Sequence, residues 1–370
     1  MRSSTAAHWT STWQKATQTK GWQARLLWPV SLVYQVLVRR HRQRYLADPR
    51  QIERMPVPVI VVGNIVVGGA GKTPTTLALL HHLRSRGWRP GVVSRGYGRS
   101  ASDVLMLPDT PDPALHGDEP SLLKQLGGVP VCVGARRAEA GRQLLREHPE
   151  VDVLVCDDGL QHFRLGRDLA IAVFDDRGVG NGWLLPAGLL REPWPPTQLD
   201  ALSPHLILRI RSDASAPPPG LPAPRSLPQF EGTRRLAHQV RWSDGSFSEL
   251  TGLQGQRVHA LAGIARPEGF FSMLQKQGLS LGQQRSLADH ADLGALREGI
   301  KDLQGMLLCT EKDAVKLFPA CQAQPVPGLR VGSVRLEMDI EPDFFAAIDR
   351  LLLEQGHCPR LSSPDGQQTA

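Results

Sequence analysis

The chain has 370 residues, of which 41% are hydrophobic and 21% charged; this balance fits a globular protein and is too apolar for a disordered one. No apolar run approaches the about 18 residues that a membrane-spanning helix requires. The five cysteines, Cys132, Cys156, Cys309, Cys321 and Cys358, show no metal-ligand spacing, which argues against both a zinc site and a disulfide scaffold and for a reducing compartment.

The formal charge of +7 is uneven: residues 1–50 hold nine Lys/Arg and one Asp, so the body is near neutral and only the N-terminal arm is basic. The first predicted element is a helix over 22–38 (WQARLLWPVSLVYQVLV), followed by Arg39, Arg40, His41, Arg42 and Arg44. Its apolar stretch is too short to cross ~30 Å of hydrocarbon. Trp9, Trp13, Trp22, Trp28 and Tyr34 suit the headgroup boundary, and the cations suit anionic lipid. This reads as an amphipathic helix that lies in or dips into a membrane. The alternatives are a helix packed on the body and a nucleic-acid-binding arm, the latter without any recognisable DNA or RNA module. No small-residue cleavage site follows the apolar run, which argues against a signal peptide.

Beyond Met55, short Val/Ile/Leu strands alternate with helical segments. Strands are predicted at 57–62, 91–94, 129–133, 151–156, 169–174 and 206–210, with helices at 73–86 and 135–148 among them. Near-continuous apolar strands separated by helices specify an α/β fold with a parallel sheet covered on both faces. A Pro-rich stretch lies between Ser212 and Gly232 and reads as linker. A hairpin follows, 238–242 paired with 247–250 around Ser-Asp-Gly. A second βα run then has strands at 258–262, 306–309 and near 331–336, with helices at 267–277, after Thr310, and at 342–354. The expected organisation is an arm over 1–50, a core over 51–232, a hairpin linker with a smaller α/β lobe over 233–356, and a polar tail over 357–370.

The strand at 57–62 runs into Gly63-Asn64-Ile65-Val66-Val67-Gly68-Gly69-Ala70-Gly71-Lys72-Thr73-Pro74 and then a helix. Glycines let backbone N–H groups converge on phosphate oxygens, a Lys meets the β/γ-phosphates, and a Ser/Thr hydroxyl meets Mg²⁺. The expected phosphate-holding residues are Gly68, Gly69, Ala70, Gly71, Lys72, Thr73 and Pro74, although Val66 stands where a P-loop usually has its first glycine. The strand at 151–156 ends in Asp157-Asp158-Gly159. Carboxylates at the carboxyl edge of a parallel strand can hold Mg²⁺ beside a phosphate loop, so Asp157 and Asp158, with Thr73, are the predicted metal residues. Adjacent side chains on a strand point apart, so the two have different tasks.

In chain order the motifs are GNIVVGGAGKTP (63–74), SRGYGR (94–99), GDEP (117–120), CDDGLQH (156–162), GNGWLLPAGLLREP (180–193), AGIARPEGFF (262–271), LADH (287–290) and TEKDAVKL (310–317). Their number and order resemble the tetraacyldisaccharide 4'-kinase family of lipid A biosynthesis in Gram-negative bacteria, over roughly residues 25–355. The resemblance implies a P-loop NTPase-like core, a smaller C-terminal lobe and a membrane-binding N-terminal helix. It implies transfer of the γ-phosphate of ATP, with Mg²⁺, to the 4'-hydroxyl of the tetraacylated disaccharide-1-phosphate precursor of lipid A, giving lipid IVA. The expected location is the cytoplasmic face of the inner membrane, as a peripheral or monotopic protein on an anionic surface, with no nucleic acid and no obligate protein partner.

The resemblance assigns the base role to Asp118; by itself an Asp-Glu-Pro in a loop also suits a helix N-cap. It pairs Asp118 with His290, and His259 in the strand at 258–262 is the competing histidine. Gln161, His162, Arg191 and Glu192 are expected to line the crevice, with Arg95 for a substrate phosphate and Tyr97 for sugar stacking. The loop also resembles that of partitioning and septum-site ATPases, but Val67 replaces their signature Lys. A membrane-tethered regulatory P-loop ATPase is the alternative function.

Overall fold

The computed structural model describes residues 17–69, 71–96, 99, 103–212 and 220–360. Ala70, Tyr97, Trp9, Trp13, residues 213–219 of the Pro-rich stretch and the tail beyond 360 lie outside the described residues.

Among the described residues of the arm, Trp22–Ala47 form the helix α1. The first half of the body then alternates β1 (Val59–Gly63), α2 (Lys72–Ser85), β2 (Pro90–Ser94), β3 (Leu105–Met106), α3 (Pro113–His116), α4 (Asp118–Gly127), β4 (Val131–Val133), α5 (Arg137–Glu147), β5 (Val153–Asp157), β6 (Leu169–Phe174) and β7 (Leu206–Arg211). The second half contains β8 (Gln229–Trp242), β9 (Phe247–Glu249), β10 (Arg257–Ala262), α6 (Pro267–Lys276), β11 (Ser280–Ser286), α7 (Leu293–Glu298), β12 (Gly305–Thr310), α8 (Glu311–Ala323), β13 (Leu329–Ile340) and α9 (Pro342–Glu354). The predicted strands are present and most ends shift by one or two residues, but β8 begins at Gln229, nine residues before the expected hairpin strand and inside the stretch read as linker, and β13 runs on to Ile340. Two edge strands, β3 and β11, were not expected. β11 reads Ser-Leu-Gly-Gln-Gln-Arg-Ser and is largely exposed; a polar edge strand carries little hydrophobic alternation.

All the strands belong to one sheet in the order β11-β10-β12-β13-β8-β7-β6-β1-β5-β2-β4-β3, with β9 beside β8. Pairing is parallel from β2 and β4 through β7 to β8, and parallel again among β11, β10, β12 and β13. The two parallel halves meet at an antiparallel seam, β8 against β13, running from Gly332↔Trp242 to Ile340↔Gly232. The register slips between Val334 and Leu336; such a bulge bends a strand and increases its twist.

Four apolar clusters fill the space on the sheet's faces. Two flank the first half, around Ile60, Leu79 and Val155, and around Val61, Leu144 and Phe174. Two flank the second, around Trp242 and Phe270, and around Leu307 and Phe318. The division expected at residue 232 falls inside β8, and α9 returns to the first half, where Phe344, Ile348 and Leu352 join the cluster of Ile60 and Leu79. His82 on α2 bonds Asp349 on α9 at 2.9 Å. Hydrophobic burial therefore ties the end of the chain to the phosphate-loop helix.

The helix α1 packs by a narrow polar and small-residue face. Ala24 and Ser31 are buried, Ser31 Oγ donates to the Leu184 carbonyl and accepts from Ala187 N–H, both at 2.9 Å, and Arg42 reaches Asp200 at 2.5 Å. Its other face leaves Trp22, Leu26, Val30, Val33 and Leu37 exposed. Among the described residues no helix is long and apolar enough to cross a membrane.

The seam makes a stability prediction. A Cβ on Gly332 would lie 2.7 Å from Val240 Cγ1 and 2.8 Å from Trp242 Cε3. Gly332→Ala should destabilise the fold by about 1–3 kcal/mol, the usual cost of overpacking, read as a lower urea midpoint. An unchanged midpoint would mean that the seam is not closely packed.

Candidate functional site

The seam has a geometric consequence. The carboxyl ends of the first-half strands and those of β10 and β12 open on one cleft of about 630 Å³. Its wall includes Gly68, Lys72, Thr73, Glu119, Asp158 and Arg191 from the first half, and Arg234, Arg266, His290 and Lys312 from the second.

The glycine-rich loop that ends in Gly-Lys-Thr lies between β1 and α2, in the strand–loop–helix placement expected of it. Gly68 and Gly71 have φ of 98° and 92°, which L side chains rarely adopt. The loop is held at two points: Asn64 Nδ2 donates to the Gly68 carbonyl at 3.0 Å, and Arg177 Nη1 donates to the Val67 carbonyl at 2.9 Å. Lys72 is buried and folds back on the loop, 3.3 Å from Asn64 Oδ1 and 3.6 Å from Asp158 Oδ1. Neither Asn64 nor Arg177 stood out in the sequence, because nothing in a lone polar residue signals a contact made by tertiary folding.

The two adjacent carboxylates do separate. Asp157 ends β5, is fully buried, and accepts from Thr76 Oγ1 at 3.0 Å. Burial, reinforced by the charge of Glu119, pushes its carboxyl up to about 7. Asp158 follows in a left-handed conformation (φ 50°) and accepts from Arg191 Nη1 at 2.9 Å. Burial alone would raise Asp158, but Lys72 and Arg191 outweigh it and hold the carboxyl below its ordinary value.

The donor set fits magnesium. Asp157 Oδ2 is a buried acceptor without a hydrogen-bond partner, Thr73 is in the first turn of α2 and lines the cleft, and both offer hard oxygen. Among the described residues there is no cluster of three or more metal-ligating His, Cys, Asp or Glu. Mg²⁺ at phosphoryl-transfer sites needs only one or two carboxylates, the remaining ligands being phosphate oxygens and water.

Asp118 is the first residue of α4, not a loop residue, and Gly117 occupies the N-cap position without a side-chain cap. The Asp118 carboxylate instead meets the second half of the chain: His290 Nδ1 is 3.1 Å from Oδ2, and Lys316 Nζ donates to the same oxygen at 2.7 Å. Burial would raise this carboxyl, but the His290 and Lys316 hydrogen bonds together hold it below its ordinary value. Lys312 Nζ lies 3.2 Å from His290 Nε2 and 2.7 Å from Asp289. Lys312 can only donate, so the network assigns the Nε2 lone pair toward Lys312 and the Nδ1 proton toward Asp118. His290 has φ 59°; among the described residues it and Asp158 are the only non-glycine residues with positive φ, and both line the cleft. Backbone strain of this kind concentrates at functional sites.

The other predicted residues divide. Gln161 Nε2 donates to the Asn64 carbonyl at 3.2 Å and to Glu192 at 2.8 Å, tying Gln161, Glu192, Arg191 and Asp158 into one network beside the loop. Arg42 reaches Glu192 at 3.3 Å and Tyr34 donates to the Arg191 carbonyl at 3.0 Å, so α1 touches this network. His162 is not in the cleft wall; burial, with Arg137 and Arg167 nearby, pushes it down to about 4. Arg95 is exposed beyond β2 and is also outside the wall. His259 is held by Gln304 and Gln283 backbone groups at 3.1 and 3.0 Å, on the β10–β11 edge. Thr76, Lys312 and Lys316 are the further site residues the sequence did not single out; the two lysines lie four apart in TEKDAVKL, a spacing that puts them on one helix face.

The chain matches the family model described as LpxK: Tetraacyldisaccharide-1-P 4'-kinase over residues 23–353. It is 48% identical over 338 residues to the tetraacyldisaccharide 4'-kinase of Acidovorax sp. (strain JS42), covering 91% of this chain and 93% of that one. It is also 48% identical over 360 residues to that of Polaromonas sp. (strain JS666 / ATCC BAA-500), covering 95% and 98%. A crystal structure described as the "apo" form of LpxK from Aquifex aeolicus in complex with ATP superposes with a TM-score of 0.73 and 26% identity, over 89% of this chain and 99% of that one. Matched over residues 23–353, the chain belongs to the tetraacyldisaccharide-1-P 4'-kinase family.

Proposed function

We propose that this chain transfers the γ-phosphate of ATP to the 4'-hydroxyl of a tetraacylated disaccharide 1-phosphate, the lipid A precursor, at the surface of an anionic membrane. The observation that carries the reading is the Asp118–His290 contact at 3.1 Å across a cleft that also contains the phosphate loop, in a member of this kinase family. A regulatory ATPase has no need of such a pair.

In this reading the backbone of the loop and α2's amino terminus receive the phosphates, and Lys72 leaves Asn64 and Asp158 to meet them. Asp157, Thr73 and Asp158 are the residues that would hold Mg²⁺, which when bound would neutralise phosphate charge. Arg191 holds Asp158 in place. The acceptor hydroxyl takes the position of the Lys312 amine at His290 Nε2 and gives its proton there as the phosphoryl group arrives. Asp118 fixes the imidazole in that tautomer and stabilises the imidazolium that results. The pair thus acts as one base, with His290 facing the cleft and Asp118, only 5% exposed, behind it.

The arm fits the lipid nature of the acceptor. Trp22, Leu26, Val30, Val33 and Leu37 recur at helical spacing on one exposed face of α1, with Arg39, Arg40 and Arg44 following. Such a helix lies in the interface plane of an anionic membrane. Through Tyr34 and Arg42 the same helix contacts the Arg191–Glu192 segment, which brings the reacting hydroxyl's surroundings to the bilayer surface.

Two experiments test this. With γ-labelled ATP and the disaccharide precursor in detergent, wild-type protein should move label into the lipid, and Lys72→Ala should lose it by about a hundredfold or more. Asp118→Asn and His290→Ala should each cost about 10²–10⁴-fold, and the double variant little more than the worse single one, because residues acting as a unit are not additive. Unlabelled lipid from wild-type protein would refute the activity; a fully active Asp118→Asn would refute the pair. For the arm, Leu26→Asp/Val33→Asp/Leu37→Asp leaves Tyr34 and Arg42 in place. It should abolish flotation with phosphatidylglycerol vesicles while sparing turnover of detergent-dispersed substrate. Unchanged flotation would place the membrane contact elsewhere on the protein.

A further inference from the structure

At the flank of the phosphate loop three guanidinium groups surround one carboxylate. Asp175, the residue after β6, is fully buried as a side chain and accepts from Arg177 Nε at 3.0 Å and from Arg266 Nη2 at 2.8 Å. Arg177 passes this restraint to the loop through the Val67 carbonyl. Arg266 brings it from the second half, at the residue before α6. The third member, Arg234, feels the charges of Asp175 and Asp176 but forms no ion pair with any of the described residues. Its Nε and Nη2 are shielded from solvent and make no hydrogen bond. Burial, with Arg266 adding to it, pushes this guanidinium down to about 10.

Arg234 is placed on the seam, opposite Met338 in the β8/β13 ladder. From there it lines the cleft and abuts the loop: a Cβ on Gly71 would lie 3.5 Å from Arg234 Nη2 and 2.8 Å from Met338 Cε. Gly71 is the residue immediately before α2, and no side chain caps that helix end. The backbone N–H groups that attract phosphate and an unpaired, desolvated guanidinium therefore lie side by side. An arginine kept for structure alone would be paired, because unpaired buried donors are costly and a charged one more so. This cluster lacks one anion, and the charge and fork geometry of guanidinium match a phosphate group.

We propose that Arg234 is a nucleotide-binding residue whose guanidinium receives the phosphates beyond the α-phosphate of ATP from the seam between the two halves. The inference rests on the kinase reading above. It also gives the seam a role in the chemistry: the strand that joins the halves delivers charge to the group being transferred.

The test is calorimetric titration of the full-length protein in detergent with ATP and with AMP, in Mg²⁺, for wild type, Arg234→Met and Arg234→Lys. Arg234→Met should lose ATP affinity by about tenfold or more while AMP affinity stays within about threefold, the pattern of a lost charge-assisted contact to the outer phosphates. Arg234→Lys, which keeps the charge without the fork, should fall between the two. The apo Arg234→Met protein should melt no lower than wild type, since it removes an unpaired buried charge. If Arg234→Met does not fold, Arg234→Lys carries the test. ATP affinity equal to wild type in the folded variants would overturn the proposal, as would an equal loss for ATP and AMP. So would unchanged ATP affinity with a raised KM for the lipid, which would assign the guanidinium to the disaccharide's 1-phosphate. Failure of the wild-type protein to bind ATP would instead remove the kinase reading itself.

Discussion

The antiparallel seam between β8 and β13 is the constraint on which the site depends. Ligands bind at the carboxyl ends of parallel strands, and a single parallel sheet offers one such edge. Joining two parallel half-sheets back to front, with a register slip between Val334 and Leu336, supplies two edges that line one cleft. Asp118 and His290 are 172 positions apart, and Asp118 and Lys316 are 198 apart, yet they meet because α4 and α8 project from the two edges toward each other. Ordering these groups costs conformational entropy once, during folding, so that the reacting groups need little rearrangement later.

The electrostatics follow from the same closure. Asp157, Asp158 and Asp175 are buried carboxylates, and Lys72, Arg177, Arg191, Arg234 and Arg266 stand around them. Most of the pairs are satisfied: Asp158 by Lys72 and Arg191, Asp175 by Arg177 and Arg266. Among the described residues, the buried atoms of this set that lack a hydrogen-bond partner are Asp157 Oδ2, Arg177 Nη2, and Nε and Nη2 of Arg234; Arg177 is bonded through its other nitrogens to Asp175 and to the Val67 carbonyl. A buried acceptor fits a cation, and a buried donor fits an anion. Arg234 lines the cleft and Asp157 lies buried next to Asp158, which lines it too; the strain at Asp158 and His290 falls on the same wall.

Much of this was legible in the sequence. The Val/Ile/Leu strands foretold the parallel halves, and the placement of Gly-Lys-Thr between a strand and a helix and of Asp157-Asp158 at a strand end is as expected. Three kinds of feature were hidden. Gly-Asp-Glu-Pro reads as a turn, and only the positive φ of Gly117 lets a helix begin at Asp118. β11 is polar because it is an exposed edge. Asn64, Thr76, Arg177, Arg234, Lys312 and Lys316 carry no local pattern at all, since most of their partners lie tens to hundreds of residues away. His162 and Arg95 show the reverse: a motif places them near the site in sequence, while the backbone turns them out of the cleft wall.

The central claim is that the second half of the chain holds Asp118 as an anion beneath His290. Carbon-13 NMR titration of the Asp118 carboxyl, assigned by its loss in Asp118→Asn, measures this directly. The ordinary aspartate midpoint is about 3.9; here it should lie below that, because the His290 and Lys316 hydrogen bonds outweigh burial. Lys316→Met removes one of those bonds and a positive charge while burial remains, so the midpoint should move up. A wild-type midpoint at or above the ordinary value, unmoved by Lys316→Met, would contradict the account.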